Sequence, residues 1–176
     1  MLEVGGQPII ARILDTLEPL VSERILLAND EALRDLAGLK IVFDPEPHAG
    51  VLPALAAGLE AASGEVCLTV ACDMPFVSRA LFERQLDLLQ TADVVIPRTQ
   101  AYLEPMHAVY RREPVLAAVK AALARGERRM ISFFPDVRVR EVVGPEWRAL
   151  DPAGRAFFNV NTPGDLAEAQ RLARGG

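Results

Sequence analysis

Two hydrophobic patterns alternate along the first half of the chain: apolar residues three and four apart, and short unbroken apolar runs. Residues 8–17 (PIIARILDTL) set Ile9, Ile10, Ile13, Leu14 and Leu17 on one helical face, with Pro8 suited to a first turn. Residues 24–28 (RILLA) form a short buried strand. A helix over 30–36 follows, with Asp30 near its cap and Gly38 beyond its end. Residues 40–43 (KIVF) are a second strand, stopped by Asp44-Pro45. After the loop 45–53 (PEPHAGVLP) the pattern predicts a helix over 55–62, a strand over 65–71, a helix over 78–90 capped by Ser78, and a strand over 93–97. Strands alternating with helices of this length make βαβ units, so the expectation is an α/β protein with a mostly parallel sheet and helices on both faces. From Tyr102 the rhythm changes. A strand over 106–110, a helix over 115–125 ended by Gly126, an edge or hairpin strand over 137–143 and a final helix opened by Thr162-Pro163 complete the chain. No repeat and no long linker divides residues 1–176, which read as one domain.

Composition narrows the function more than the fold. A formal net charge of -5 argues against a nucleic-acid polymer as ligand, since phosphate-backbone binders carry a basic face. No apolar run reaches the length of a membrane span, and the first residues lack the basic-then-apolar order of a signal peptide. Cys67 and Cys72 match neither a zinc site nor a redox pair, and read as core or rim thiols in a reducing cytoplasm.

Three polar residues sit just after strands: Asn29 after RILLA, Asp44 after KIVF and Asp73 after VCLTVA. Each alone has an ordinary reading as a turn former, Asp before Pro above all. Together they line the carboxyl edge of a parallel sheet, where open α/β folds bind ligands. No serine, histidine and acid are arranged on a strand-to-helix elbow, and no histidine and glutamate have metal-ligand spacing. His48 and His107 stand apart. A lone carboxylate at a sheet rim suits Mg²⁺, which takes one or two carboxylates and lets substrate phosphates complete its octahedron. Arg125, Arg128 and Arg129 read either as a solvated basic turn at a helix end or as a fork for a phosphate.

The segments VACDMPF, GERRMISFF (126–134) and FFNVNTPGDL (157–166), in that order after LEVGGQPII, resemble the molybdenum cofactor guanylyltransferase family over essentially the whole chain. The resemblance implies a Rossmann-like nucleotidyltransferase fold and transfer of GMP from GTP to molybdopterin, with Mg²⁺ as cofactor and pyrophosphate released. It implies that Asp73 binds the metal and the nucleotide phosphates and that Asp44 reads guanine, whose N1 and N2 edge offers a carboxylate two hydrogen bonds. Asn29 falls in a nucleotide-binding segment, although the family's contact aligns nearer Leu27. Asn159 and Asn161 match the pair facing molybdopterin; without the resemblance they read equally as an Asx turn into the Thr162 cap. Arg128 and Arg129 are the candidates for the acceptor phosphate. Partners implied are GTP, molybdopterin, and proteins that insert molybdenum or chaperone target enzymes.

The chain departs from the family in two places. The family opens on a strand and a glycine-rich loop, LAGGxSxRMGxDK, whereas LEVGGQPII corresponds to the segment after that loop. Without those donors a triphosphate is poorly neutralised, and a central strand of the sheet is missing. Either the first residue is internal to a longer protein, the reading we favour, or this is a short paralogue that binds without catalysing. The 176 residues by themselves are expected to show little transferase activity. At 50–54, GVLPA replaces the family's GPLAG, which leaves a cytidylyl or other nucleotidyl transfer as the alternative.

Overall fold

A computed structural model describes residues 2–28, 39–43, 50–100 and 102–175. Gly5 and Gly6 both take positive φ, 62° and 77°. They form the two-residue turn joining β1 (Glu3–Val4) to β2 (Gln7–Pro8) in an antiparallel hairpin. The chain then enters α1 (Ile9–Leu17), which buries Ile9, Ile13 and Leu17 along one face. β3 (Ile25–Ala28) pairs in parallel with β4 (Lys40–Phe43), Ile25 opposite Lys40 and Ala28 opposite Phe43. α2 (Val51–Ala61) starts four residues before the predicted onset, because Pro53 is tolerated in a first turn whose N–H groups have no helical partner.

β5 (Val66–Val70), α3 (Arg79–Leu88), β6 (Val94–Pro97), β7 (His107–Arg111), α4 (Arg112–Ala124) and β8 (Val139–Val142) follow. β5, β7, β6 and β8 are neighbours in that order. β7 runs antiparallel to both β5 and β6, and β8 runs parallel to β6. The reason lies in the connection. Only residues 98–106 join β6 to β7, too few for a crossover helix, so the chain doubles back.

One carboxylate fixes the direction of the remaining strands. Glu23, just before β3, accepts hydrogen bonds from the Ser63 amide and hydroxyl (2.8 and 2.9 Å), just before β5. It also pairs with Lys40 at the start of β4 (3.7 Å). β3, β4 and β5 therefore begin at one end and run the same way. Among β3 to β8 only β7 opposes the rest, so the strands, hydrogen-bonded as the pair β3–β4 and the four-stranded sheet β5–β7–β6–β8, are mixed and mostly parallel in direction.

Strand alternation divides the core. Val95, Val109 and Val142 pack with α1, α3 and the end of the chain, whereas Val94, Ile96, Ala108 and Tyr110 pack with α2 and α4. The 137–143 segment is the edge strand expected of it, but parallel and without a hairpin. The alternation missed α5 (Gly144–Arg148), which buries Trp147 and lets its indole N–H donate to the Arg98 carbonyl (3.0 Å).

The last helix, α6 (Pro163–Arg174), carries the predicted cap. Thr162 Oγ1 accepts from the Asp165 amide (3.2 Å), and Asp165 Oδ2 accepts from the amides of Thr162 (2.8 Å) and Asn161 (3.1 Å). Thr162→Ala is expected to cost about 1 kcal/mol, read as a lower urea midpoint at unchanged slope.

Candidate active site

The sheet delivers Asp73 to its rim by a turn that cannot continue the ladder. The Met74 amide donates to the Ala71 carbonyl (3.3 Å), and Met74 is buried, which draws the turn onto the core. Asp73 is half-buried, and its Oδ1 is sealed from solvent with no hydrogen-bond partner among the described residues. An unmet buried acceptor is costly, and a charged one more so, unless a cation or a donor comes to it.

A second segment is clipped to this turn. The Val160 amide donates to the Asp73 carbonyl (2.9 Å). Val160 points into the core, so on an extended backbone its neighbours Asn159 and Asn161 face outward, and both are exposed. The structure thus sets the segment that carries Asn159 and Asn161 against the Asp73 backbone. Phe76 and Phe158 meet edge to face at 6.1 Å, locking the two segments side by side. Arg12 of α1 braces them from behind, its Nε donating to the Pro75 carbonyl (3.2 Å) and its guanidinium lying 5.7 Å from the Phe76 ring centre.

His107 supports the site without entering it. It is fully buried at the first position of β7, stacked on Phe82 at 4.1 Å, and its Nε2 accepts from the Ser78 amide (3.5 Å) at the start of α3. Burial lowers its pKa to about 4, so the imidazole is neutral near pH 7. Sequence reasoning had no signal for this role beyond an apolar neighbourhood.

Asp73 lies at one end of a cavity of about 550 Å³, bounded by β3, β5 and α2 and reached by Met106 and Met130. Met130 belongs to the turn carrying the arginines. A Cβ added to Gly50, which caps α2 at φ 104°, would lie 3.3 Å from the Arg128 carbonyl, so that turn rests against the start of α2. The predicted cluster splits. Arg125 is held by Glu127 (3.0 Å) and Asp136 (2.9 Å). Arg128 donates to the carbonyls of Leu123 and Glu127 (3.3 and 2.9 Å), and exposed Arg129 has no partner among the described residues. Asn29, Asp44 and His48 lie outside the described residues. The strands that lead to Asn29 and Asp44 end level with each other. Cys67 is half-buried on the cavity wall and Cys72 exposed at its rim. Among the described residues no three His, Cys, Asp or Glu side chains converge as metal ligands, and no helix is long and apolar enough to cross a membrane. A metal here would hang on Asp73 and on substrate phosphates, a donor set that fits Mg²⁺.

Mostly parallel strands covered on both faces, with a carboxylate at the rim beside a hollow, make an α/β protein with its ligand site at the strand ends. The sequence model described as the MobA-like NTP transferase domain matches residues 1–140. A probable molybdenum cofactor guanylyltransferase from Pelotomaculum thermopropionicum is 36% identical over 98% of this chain and 84% of its own length. The molybdopterin-guanine dinucleotide biosynthesis protein A of Archaeoglobus fulgidus superposes with a TM-score of 0.81 at 23% identity, over 99% of this chain and 90% of that one. The 2-C-methyl-D-erythritol 4-phosphate cytidylyltransferase of Thermus thermophilus shares the fold, with a TM-score of 0.75 at 21% identity over 98% and 92% of the two chains. The chain belongs to the MobA-like NTP transferase family.

Proposed function

We propose that this protein transfers a guanylyl group from GTP to the phosphate of molybdopterin in the cytoplasm, using Mg²⁺. The observation that carries the reading is the Oδ1 of Asp73, buried on the cavity wall without a partner among the described residues, in a chain of this family. An acceptor phosphate oxygen bonds to the α-phosphorus of GTP, the α–β bridging bond breaks, and pyrophosphate leaves with its electron pair. Mg²⁺, when bound, neutralises charge on the phosphates. Asp73 anchors that positive charge, and the Val160 clip holds the carboxylate's turn in place. Asn159 and Asn161 present amides on the acceptor side, while Arg128 and Arg129 offer guanidinium donors to its terminal phosphate. Asp44 reads the guanine edge, with Asn29 near the nucleotide.

Because the 176 residues by themselves are expected to turn over little, nucleotide titration tests the assignment. Tighter binding of GTP than of CTP is expected, and Asp44→Ala is expected to abolish GTP binding while leaving CTP binding unchanged. Preference for CTP by the parent chain would overturn the guanylyl assignment.

A further inference from the structure

Both ends of the segment that carries Asp73 are moored to two consecutive residues where β7 begins. At one end the Ala71 amide donates to the Met106 carbonyl (3.2 Å). At the other the Ser78 amide donates to His107 Nε2 (3.5 Å), and Ser78 goes on to cap α3, its Oγ accepting from the Leu81 amide (3.2 Å). The same imidazole reaches the second segment of the site. Phe157 meets it edge to face at 5.6 Å, two residues before Asn159.

His107 is itself held at every group. Gln85 of α3, fully buried, donates through Nε2 to the carbonyls of His107 (3.0 Å) and Val95 (3.1 Å). The His107 amide donates to the Glu104 carbonyl (3.0 Å), and Phe82, stacked at 4.1 Å, fixes the plane of the ring. The bond to Ser78 also fixes the proton. A backbone amide can only donate, so Nε2 keeps its lone pair and the neutral ring carries its proton on Nδ1. Nδ1 is buried with no hydrogen-bond partner among the described residues. Packing alone does not account for such a ring, because phenylalanine would fill the place between Phe82 and Phe157 without burying an unmet N–H. What imidazole adds is the acceptor for Ser78.

We propose that His107 is a positioning residue: as the Nδ1–H tautomer it ties the turn of Asp73 to the segment of Asn159 and Asn161, and so sets the spacing between the metal side and the acceptor side of the site. That role rests on the guanylyl-transfer reading, in which Asp73 anchors Mg²⁺ and the two asparagines face the acceptor. Fully buried, the imidazole acts on ligands through Ser78 and Phe157 and not by contact.

Three measurements on the intact chain at pH 7 test it. Nitrogen-15 shifts of the parent imidazole are expected to place the proton on Nδ1; a proton on Nε2 would overturn the proposal without any variant. His107→Phe keeps an aromatic ring and removes the acceptor. In it, exchange of the Ser78 and Val160 amides is expected to quicken at least about tenfold relative to the Arg111 amide, which donates to the Asp93 carbonyl (2.8 Å) at the far end of β7. Val160 decides the matter, since its acceptor is the Asp73 carbonyl and not His107. His107→Gln, which returns an acceptor near Nε2 but takes away the ring, is expected to restore Ser78 protection and leave Val160 quickened. Val160 unchanged in both variants would confine His107 to the cap of α3, and Arg111 quickened as much would make it a general core residue; either result sinks the proposal. Mn²⁺ affinity is expected to fall at least about threefold in His107→Phe. Unchanged Mn²⁺ affinity beside a quickened Val160 would show a link with no hold on the site, and also overturns it. If the parent binds no Mn²⁺, the metal reading of Asp73 fails, while the exchange rates still decide whether His107 joins the two segments.

Discussion

Asp73→Asn is expected to bind Mn²⁺, the spectroscopic substitute for Mg²⁺, at least about tenfold more weakly than the parent chain, while unfolding no earlier. The first half follows from the loss of negative charge at the rim, where among the described residues no three His, Cys, Asp or Glu side chains stand together to hold a cation in its place. The second half is what separates a binding residue from a structural one. Asp73 Oδ1 is buried without a partner among the described residues, so an asparagine there breaks no hydrogen bond that this oxygen makes with them. GTP transfer in a system competent for it is expected to fall at least about 100-fold, the loss of roughly 3 kcal/mol of charge stabilisation. Calorimetry and Mn²⁺ paramagnetic titration read the two halves separately. Unchanged Mn²⁺ affinity would remove Asp73 from the metal site, and a variant that unfolds earlier would make it a structural turn residue.

The chain is expected to lose about 3 kcal/mol of stability as pH falls from 6.5 to 4, and His107→Leu is expected to flatten that slope. The folded-state pKa of His107 is depressed from 6.5 to about 4 because burial disfavours the imidazolium. A base with a depressed folded value contributes its stability fully above the unfolded value. That contribution shrinks as pH falls toward the folded one, because protons bind the unfolded chain first. Urea unfolding at pH 7.0 and pH 4.5 measures it. Asp93 acts in a lower window. Its hydrogen bonds from Arg138 (3.0 and 2.8 Å) hold its carboxyl below the ordinary 3.8, so its stabilisation fades only in stronger acid. A parent slope identical to that of His107→Leu between pH 4 and 6.5 would show that the imidazole is already solvated in the folded protein.

The elements that carry Asp73 were legible because their signals are local. Six consecutive residues from Val66 to Ala71 with no charge, then Cys-Asp-Met-Pro, announce a buried strand and an abrupt exit. Thr162 and Pro163 likewise spell out a cap that the structure contains, and Asp165 completes it. The onset of α2 was read late because Pro53 was taken as loop, although proline belongs equally in a first turn. α5 is too short for any period to show, and only buried Trp147 betrays it. The arginine turn read as one unit because charge is visible in a sequence, whereas the acids that occupy Arg125 are matched to it only in space. The part of the site hardest to see is the Val160 clip. It uses a backbone amide, which every residue except proline possesses, so no side-chain type marks it.

That clip also sets an order of events during synthesis. Val160 leaves the ribosome about 90 residues after Asp73, a delay of several seconds at ordinary elongation rates. β5 and its neighbours can be laid down long before the segment that steadies the carboxylate exists. A nascent chain therefore passes through a stage with its scaffold built and the turn at Asp73 still loose.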